Sequence, residues 1–199
     1  MGILTMISET RVVLPPYLAD IRSETGAIGF AMASDLLTGS LLRTLAATKP
    51  AGKFLELGTG TGCGTTWLLA GMDNASTLLT VENDPHAVAI AQRHLDHDPR
   101  LTFHIGDGGA FLEQIQEQAG SFDLIFADTW PGKYTHLDEV LHLLKVGGIY
   151  LIDDMLPQPN WPADHPPKVA KLIEILEKRQ DLRLTTMQWS TGLMMAVKV

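Results

Sequence analysis

The chain has 199 residues, room for one domain with a sizeable core, and its single cysteine, Cys63, excludes an internal disulfide and a multi-cysteine zinc site. A formal net charge of −8, with a pI near 5.2, argues against an electrostatic grip on nucleic acid or an anionic membrane surface. No apolar run approaches the roughly 20 residues that a membrane-spanning helix needs.

In chain order, the start MGILTMISETR lacks the basic opening and apolar stretch of a secretory signal. Met6 stands where a myristoylation motif at Gly2 wants Ser or Thr. A cytoplasmic protein is expected. Ala31 to Ala47 reads as helix. Lys53 to Leu57 is a short apolar run closed by glycine, the pattern of a buried strand. Helix is expected over Thr65 to Met72 and strand over Thr77 to Val81. Pro85 to Leu95 carries apolar residues at helical spacing, with Asp84 placed to cap it and Pro85 at its first position. Leu101 to Ile105 is strand, Ala110 to Gln118 helix, Phe122 to Ala127 strand, His136 to Leu144 helix and Gly148 to Ile152 strand. Met155 to Pro167 is a long irregular loop, and Lys168 to Lys178 is helical. The alternating runs Leu182 to Trp189 and Leu193 to Val199, joined by Ser190-Thr191-Gly192, predict an antiparallel hairpin. Repeated strand–helix units give an α/β fold, a mostly parallel sheet with helices on both faces.

The densest signal is Leu55-Glu56-Leu57-Gly58-Thr59-Gly60-Thr61-Gly62-Cys63-Gly64. A dinucleotide fingerprint needs glycine at its first, third and sixth positions. From Gly58 the sixth position is Cys63, and from Gly60 it is Thr65. A phosphate-gripping loop needs a terminal lysine, and none is present. The remaining pattern suits a ligand without phosphates: glycines admit close backbone approach, and Glu56 faces an ammonium. Glu82 follows about 20 residues later at the end of the second strand, where a carboxylate accepts ribose hydroxyls. Asp107, between Gly106 and Gly108, is able to accept from an adenine amino group. Loop, ribose acid and adenine acid together describe S-adenosylmethionine.

From about Met32 to Asp154 the sequence resembles the S-adenosylmethionine-dependent O-methyltransferases of the catechol and caffeoyl-CoA type. LELGTGTGCG is similar to the family's first motif, and LLTVENDPHAVAIAQRHL to its ribose motif. FDLIFADTWPGKY resembles its fourth-strand motif, and GGIYLIDDML its fifth. The resemblance implies a Rossmann-like methyltransferase fold, with 1–50 as a helical segment covering the substrate side and 51–199 as the cofactor-binding core. It implies cofactor contacts at Met32, Glu56, Gly58, Thr59, Gly60, Gly62, Glu82, Asn83, Asp107, Gly108, Asp128 and Trp130. Trp130 would pack on adenine, and Met32 would lie near the transferred methyl. Asp128, Asp153 and Asp154 would hold a divalent metal, Mg²⁺ or Ca²⁺ by the all-oxygen set. The implied partners are a small-molecule acceptor and a second copy of the chain, with no nucleic acid and no membrane.

The family's catalytic lysine lies three residues beyond the metal acid, and that position is Pro131 here. Lys133, two residues later, is the replacement candidate beside Asp128. The third metal ligand, usually Asn, is Asp154, and three carboxylates without a cation would repel one another. Tyr134 and His136 are candidate assistants, and the loop bearing Trp161 and His165 is expected to cover the acceptor. Two other readings stand beside O-methylation: N-methylation of a small amine, and a cofactor-binding protein that has lost catalysis. Leu14-Pro15-Pro16-Tyr17 is similar to the Pro-Pro-aromatic motif of enzymes that methylate DNA amino groups, but it opens with Leu and precedes the glycine loop.

Overall fold

A computed structural model describes residues 12–159 and 161–199; the start containing Gly2 and Met6 lies outside them. Seven strands form one sheet: β1 (Lys53–Leu57), β2 (Thr77–Glu82), β3 (Leu101–Ile105), β4 (Phe122–Ala127), β5 (Leu144–Ile152), β6 (Leu182–Met187) and β7 (Leu193–Lys198). Their order across the sheet is β3-β2-β1-β4-β5-β7-β6. Strands β1 to β5 pair in parallel, and β7 runs antiparallel to both β5 and β6. Strand order reverses between β1 and β4, and in open parallel sheets ligands bind beyond the carboxyl ends at such a point. The register aligns those ends, because Leu57 faces both Val81 and Ala127, and Ala127 faces Ile152. Residues that follow Leu57, Val81, Ala127 and Ile152 therefore meet along one edge.

The helices are α1 (Leu18–Ala27), α2 (Leu36–Ala47), α3 (Cys63–Gly71), α4 (Pro85–Leu95), α5 (Gly108–Gln114), α6 (Leu137–Leu143) and α7 (His165–Glu177). They cover both faces, because parallel strands buried on both sides must find an apolar partner on each. Leu55, Leu57, Ile125 and Tyr150 pack with residues of α5, α6 and α7 such as Leu112, Val140 and Leu172. Phe54, Leu124, Phe126 and Leu151 pack with Leu42, Trp67 and Ile90 on the other side. Alternation along β1 puts Glu56 on the Phe54 side, pointing beneath α3.

Several boundaries differ from the sequence reading. The helix expected from Ala31 begins at Leu36, because the Asp35 carboxylate accepts from the Leu37 and Thr38 amides at 2.7 and 3.1 Å and sets the cap there. That leaves Ala31–Ser34 outside helix, and α1 was not anticipated. α3 starts two residues early, at Cys63, once Gly62 has turned with φ +94°. α5 stops at Gln114 and a 3₁₀ turn carries Gln116–Gln118. β5 begins at Leu144, four residues before the glycine that marked its start. α7 begins at His165 because Pro166 and Pro167 fall in its first turn, where proline is tolerated.

α2 and α3 approach so closely that a Cβ on Gly39 would lie 2.1 Å from Trp67 Nε1. Trp67 is fully buried and has nowhere to retreat. Gly39→Ala is expected to cost about 1–3 kcal/mol by overpacking. An unchanged denaturation midpoint for this variant would show that the helix pair can separate freely.

Candidate active site

The glycine loop turns sharply out of β1. The Gly58 and Thr59 amides both donate to the Val81 carbonyl at 3.0 Å, which pins the loop to the end of β2. Gly58 has φ +99°, and a Cβ there would meet the Asp128 carbonyl oxygen at 2.8 Å. A Cβ at Gly62 would meet Ala91 Cβ at 2.8 Å. Gly58 and Gly62 are thus required by the chain's own neighbours, β4 and α4. Gly60 and Gly64 face a cavity of about 330 Å³ that also takes in Gly58, Thr59, Asn83 and Glu82. Gly62 does not line it.

The three acids of the nucleoside reading have different surroundings. Glu82 lines the cavity, and its carboxylate accepts from the Gly60 amide at 2.7 Å and from the Asn83 and Asp84 amides at 2.9 Å. These bonds fix both loops around one carboxylate. Glu56 is fully buried under the loop. Its Oε2 accepts from Thr65 at 2.5 Å and Thr80 at 2.6 Å, while Oε1 has no partner among the described residues. Burial pushes its carboxyl up to about 7, against the pull of the two threonine hydroxyls. Oε1 packs directly against Gly64, which lines the cavity, and a Cβ there would lie 2.6 Å from it. Asp107 caps α5 by accepting from the Ala110 amide at 2.8 Å. Its neighbours Gly106 and Gly108, rather than Asp107 itself, line a small cavity of about 30 Å³ that continues from Glu82 and Asn83. Pro131 lies against Gly108 there, 3.4 Å from its Cβ position, while Trp130 stands in the walls of the larger cavities.

Beyond β4 and β5 lie the remaining candidates. Asp128 and Asp154 line the main cavity, and Asp153 is buried, 2% exposed. Ser34 Oγ donates to Asp128 Oδ2 at 3.2 Å. Burial first, and then the nearby Asp153, raise the Asp128 carboxyl well above the usual carboxylate range. Asp153 Oδ1 accepts from the Asp154 amide at 2.7 Å and from the Thr191 hydroxyl; burial still carries its carboxyl to about 6. The Lys133 side chain turns inward, 4% exposed, and its ammonium donates to the Asp153 carbonyl at 2.9 Å. The structure therefore brings Lys133 into the cavity that Asp128 and Asp154 line, although the position three residues after Asp128 is proline.

A second cavity, of about 470 Å³, shares Met32, Asp128, Trp130, Asp154 and His165 with the first. Met32 is 68% exposed at their junction. The second cavity is walled in part by Trp161 and His165, whose ring centroids are 4.3 Å apart, and Tyr134, on the side of the first cavity, stands edge-on to His165 at 5.3 Å. Tyr134 Oη and His165 Nε2 are 3.0 Å apart. Burial, and then the nearby Lys133 charge, lower the His165 pKa. His136 lies elsewhere, at the start of α6 beside Glu113. Sequence reasoning missed Ser34 and Thr191; the turn of the expected hairpin was visible, but not that it folds back onto Asp153.

A sequence profile described as O-methyltransferase matches residues 8–198. The chain belongs to the O-methyltransferase family. Among the family's curated members, a catechol O-methyltransferase of Niastella koreensis is 32% identical over 123 residues, covering 59% of this chain and 56% of that protein. The O-methyltransferase ankF of Aspergillus thermomutatus is 32% identical over 117 residues, covering 56% of this chain and 49% of its own length. The chain thus spans about half the length of the curated relatives it matches. The fold is shared with the O-methyltransferase TomG of Streptomyces achromogenes, solved in complex with SAM: TM-score 0.83, 22% identity, covering 95% of this chain and 92% of that one. It is shared too with an O-methyltransferase of Bacillus cereus solved with SAH, at TM-score 0.84 and 20% identity, covering 98% and 96%. This member of the O-methyltransferase family accordingly has the Rossmann-like methyltransferase fold.

Proposed function

We propose that the chain binds S-adenosylmethionine in the cavity under the glycine loop and methylates an oxygen of a small, flat acceptor held in the adjoining aromatic cavity. The observation that carries this reading is the continuity of the two spaces, which share Met32, Asp128, Trp130, Asp154 and His165. The first space fits the methyl donor on its own chemistry. Glu82 accepts ribose hydroxyls with lone pairs left after its backbone bonds. The orphaned Glu56 Oε1, packed against Gly64, waits for a cationic amino group, and the narrow slot at Gly106 and Gly108 suits the edge of a purine.

S-adenosylmethionine, when bound, supplies a methyl on a sulfonium, so the residues have mainly to align the acceptor with it. Trp130, Trp161 and His165 supply flat surfaces against which an aromatic acceptor would be oriented. Asp128, which lines both cavities, takes up the acceptor's hydroxyl proton. We include no divalent ion in this reading. Among the described residues, no group of three His, Cys, Asp or Glu side chains is placed to hold one.

Glu82→Ala tests the donor site. Calorimetry is expected to show S-adenosylmethionine binding weakened by about 1.5–3 kcal/mol, the scale for lost hydrogen bonds to a charged group. Unchanged affinity would remove Glu82 from the ribose. Transfer of labelled methyl to a panel of phenols, amines and carboxylates then decides the acceptor: phenol methylation supports the proposal, and turnover with amines alone replaces it.

A further inference from the structure

We propose that the Lys133 ammonium is the site's resident cation, standing where the resemblance puts a divalent metal, so that the acceptor oxygen is bound by this lysine. The inference rests on the methyl-transfer reading for its chemistry, but not for its geometry. Three acids follow β4 and β5 at one edge of the sheet, and the carboxylates of Asp128 and Asp153 are already engaged. Asp128 Oδ2 accepts from Ser34 at 3.2 Å, and Asp153 Oδ1 accepts from Thr191 and from the Asp154 amide. Asp154 itself takes the left-handed conformation, φ +59°, which turns the chain directly after Asp153. Lys133 enters this cluster from the side, nearly fully buried, with one N–H on the Asp153 carbonyl at 2.9 Å. An ammonium has three donors, and no other protein partner takes the remaining two among the described residues.

The loop that aims this lysine is built for the purpose. Gly132 has φ +90°, and its missing side chain makes room for Leu57, whose Cδ1 would lie 2.7 Å from a Cβ. The Gly132 carbonyl accepts from the buried Tyr150 hydroxyl, and its amide donates to Thr135 at 2.7 Å. The Lys133 and Tyr134 amides both donate to the Trp130 carbonyl, at 3.1 and 2.9 Å. The turn is therefore fixed at both ends, and Lys133 is carried into the cavity as a consequence. Proline at position 131 is compatible with it, since no hydrogen bond in the turn calls for an amide at that residue.

The ammonium forms no ion pair with these acids, but its charge lies close enough to favour the ionised forms of Asp128 and Asp153, and so offsets part of the repulsion that a divalent ion would otherwise relieve. Methyl transfer remains balanced. The acceptor oxygen forms a bond to the methyl carbon, the carbon–sulfur pair stays on sulfur, the hydroxyl proton passes to Asp128, and Lys133 keeps its protons throughout. Its role is to hold the oxygen and offset the negative charge that develops on it.

The test is a Mn²⁺ titration of the full chain, followed by the electron-spin resonance of the free ion, with no methyl acceptor present. The parent chain is expected to show no saturable site into the millimolar range. Lys133→Met, folded by circular dichroism, is expected to gain one site, binding at least about tenfold more tightly than the parent. Adding Asp153→Asn should remove that site again, and Lys133→Arg should never acquire it. A saturable site in the parent that Asp153→Asn abolishes would overturn the proposal, as would a folded Lys133→Met chain that gains none. If Lys133→Met fails to fold, the parent titration with Asp153→Asn still decides. Loss of S-adenosylmethionine binding would leave these ion titrations unaffected, so the two readings fail separately.

Discussion

Between pH 4.5 and pH 7 the chain is expected to lose about 3 kcal/mol of stability through one carboxyl, that of Glu56. Its carboxyl titrates near 7 when folded and near 4.5 when free, so in this window the folded state holds a proton that the unfolded state has released. Stability from this group is complete below 4.5 and is gone once pH has risen through 7. Other groups titrate over the same range, so the useful quantity is the difference from Glu56→Gln, which mimics the protonated acid at every pH. The variant should match the parent at pH 4.5 and exceed it by about 3 kcal/mol at pH 8 in denaturant melts. Parallel stability curves would show that Glu56 is solvated rather than trapped beneath α3. The methyl-donor reading adds an opposite slope. An amino group at Oε1 favours the charged carboxylate, so S-adenosylmethionine affinity should rise with pH through 7 in the parent and stay flat in Glu56→Gln.

Gly58→Val is expected to abolish donor binding and to cost about 2–4 kcal/mol of stability, combining a β-branched residue at positive φ with overpacking. The carbonyl that its Cβ would strike belongs to Asp128, whose own amide donates to the Leu57 carbonyl at 2.9 Å. β1 and β4 are thus tied on either side of the clash, and the loop has to yield. Chemical denaturation paired with calorimetry checks both effects. Gly58→Val that binds S-adenosylmethionine normally would mean that the loop is only a turn. Gly62→Val should behave differently in kind, since its neighbour is Ala91 of α4: stability falls first, and binding follows only as the helix moves.

Strands β1 to β5 were legible because each is a short, largely apolar run stopped by glycine or an acid, and β6 and β7 because their residues alternate on either side of Ser190-Thr191-Gly192. α4 was legible to the residue, since Asp84 and Pro85 mark its start. α1 was not, because only Leu18, Ile21 and Thr25 turn inward along a stretch otherwise rich in Asp, Arg and Glu. The start of α2 was misjudged where alanines suggested helix and Asp35 offered a stronger cap. In the site, loop glycines and Glu82 were visible as spacing along the chain. Lys133 turning inward onto the Asp153 carbonyl was not. That depends on the Gly132 turn and on Tyr150, 18 residues away, holding it. Thr191 meeting Asp153 across 38 residues was equally hidden, since it follows from how β7 pairs with β5.

The place of β7 between β5 and β6 has a consequence for a chain growing from its amino end. β5 is synthesised with its outer edge open, and the strand that closes it is made after β6, the one that will lie farther out. Until Leu193–Lys198 emerge, the backbone donors and acceptors along that edge of Tyr150, Leu151 and Ile152 have no partner in the sheet, an invitation to pair with another nascent chain. Asp153 meanwhile lacks the hydroxyl that later grips it. The sheet edge beside the candidate site thus closes only after both β6 and β7 have been made, and a ribosome-bound intermediate would hold a finished glycine loop beside an unfinished neighbouring wall.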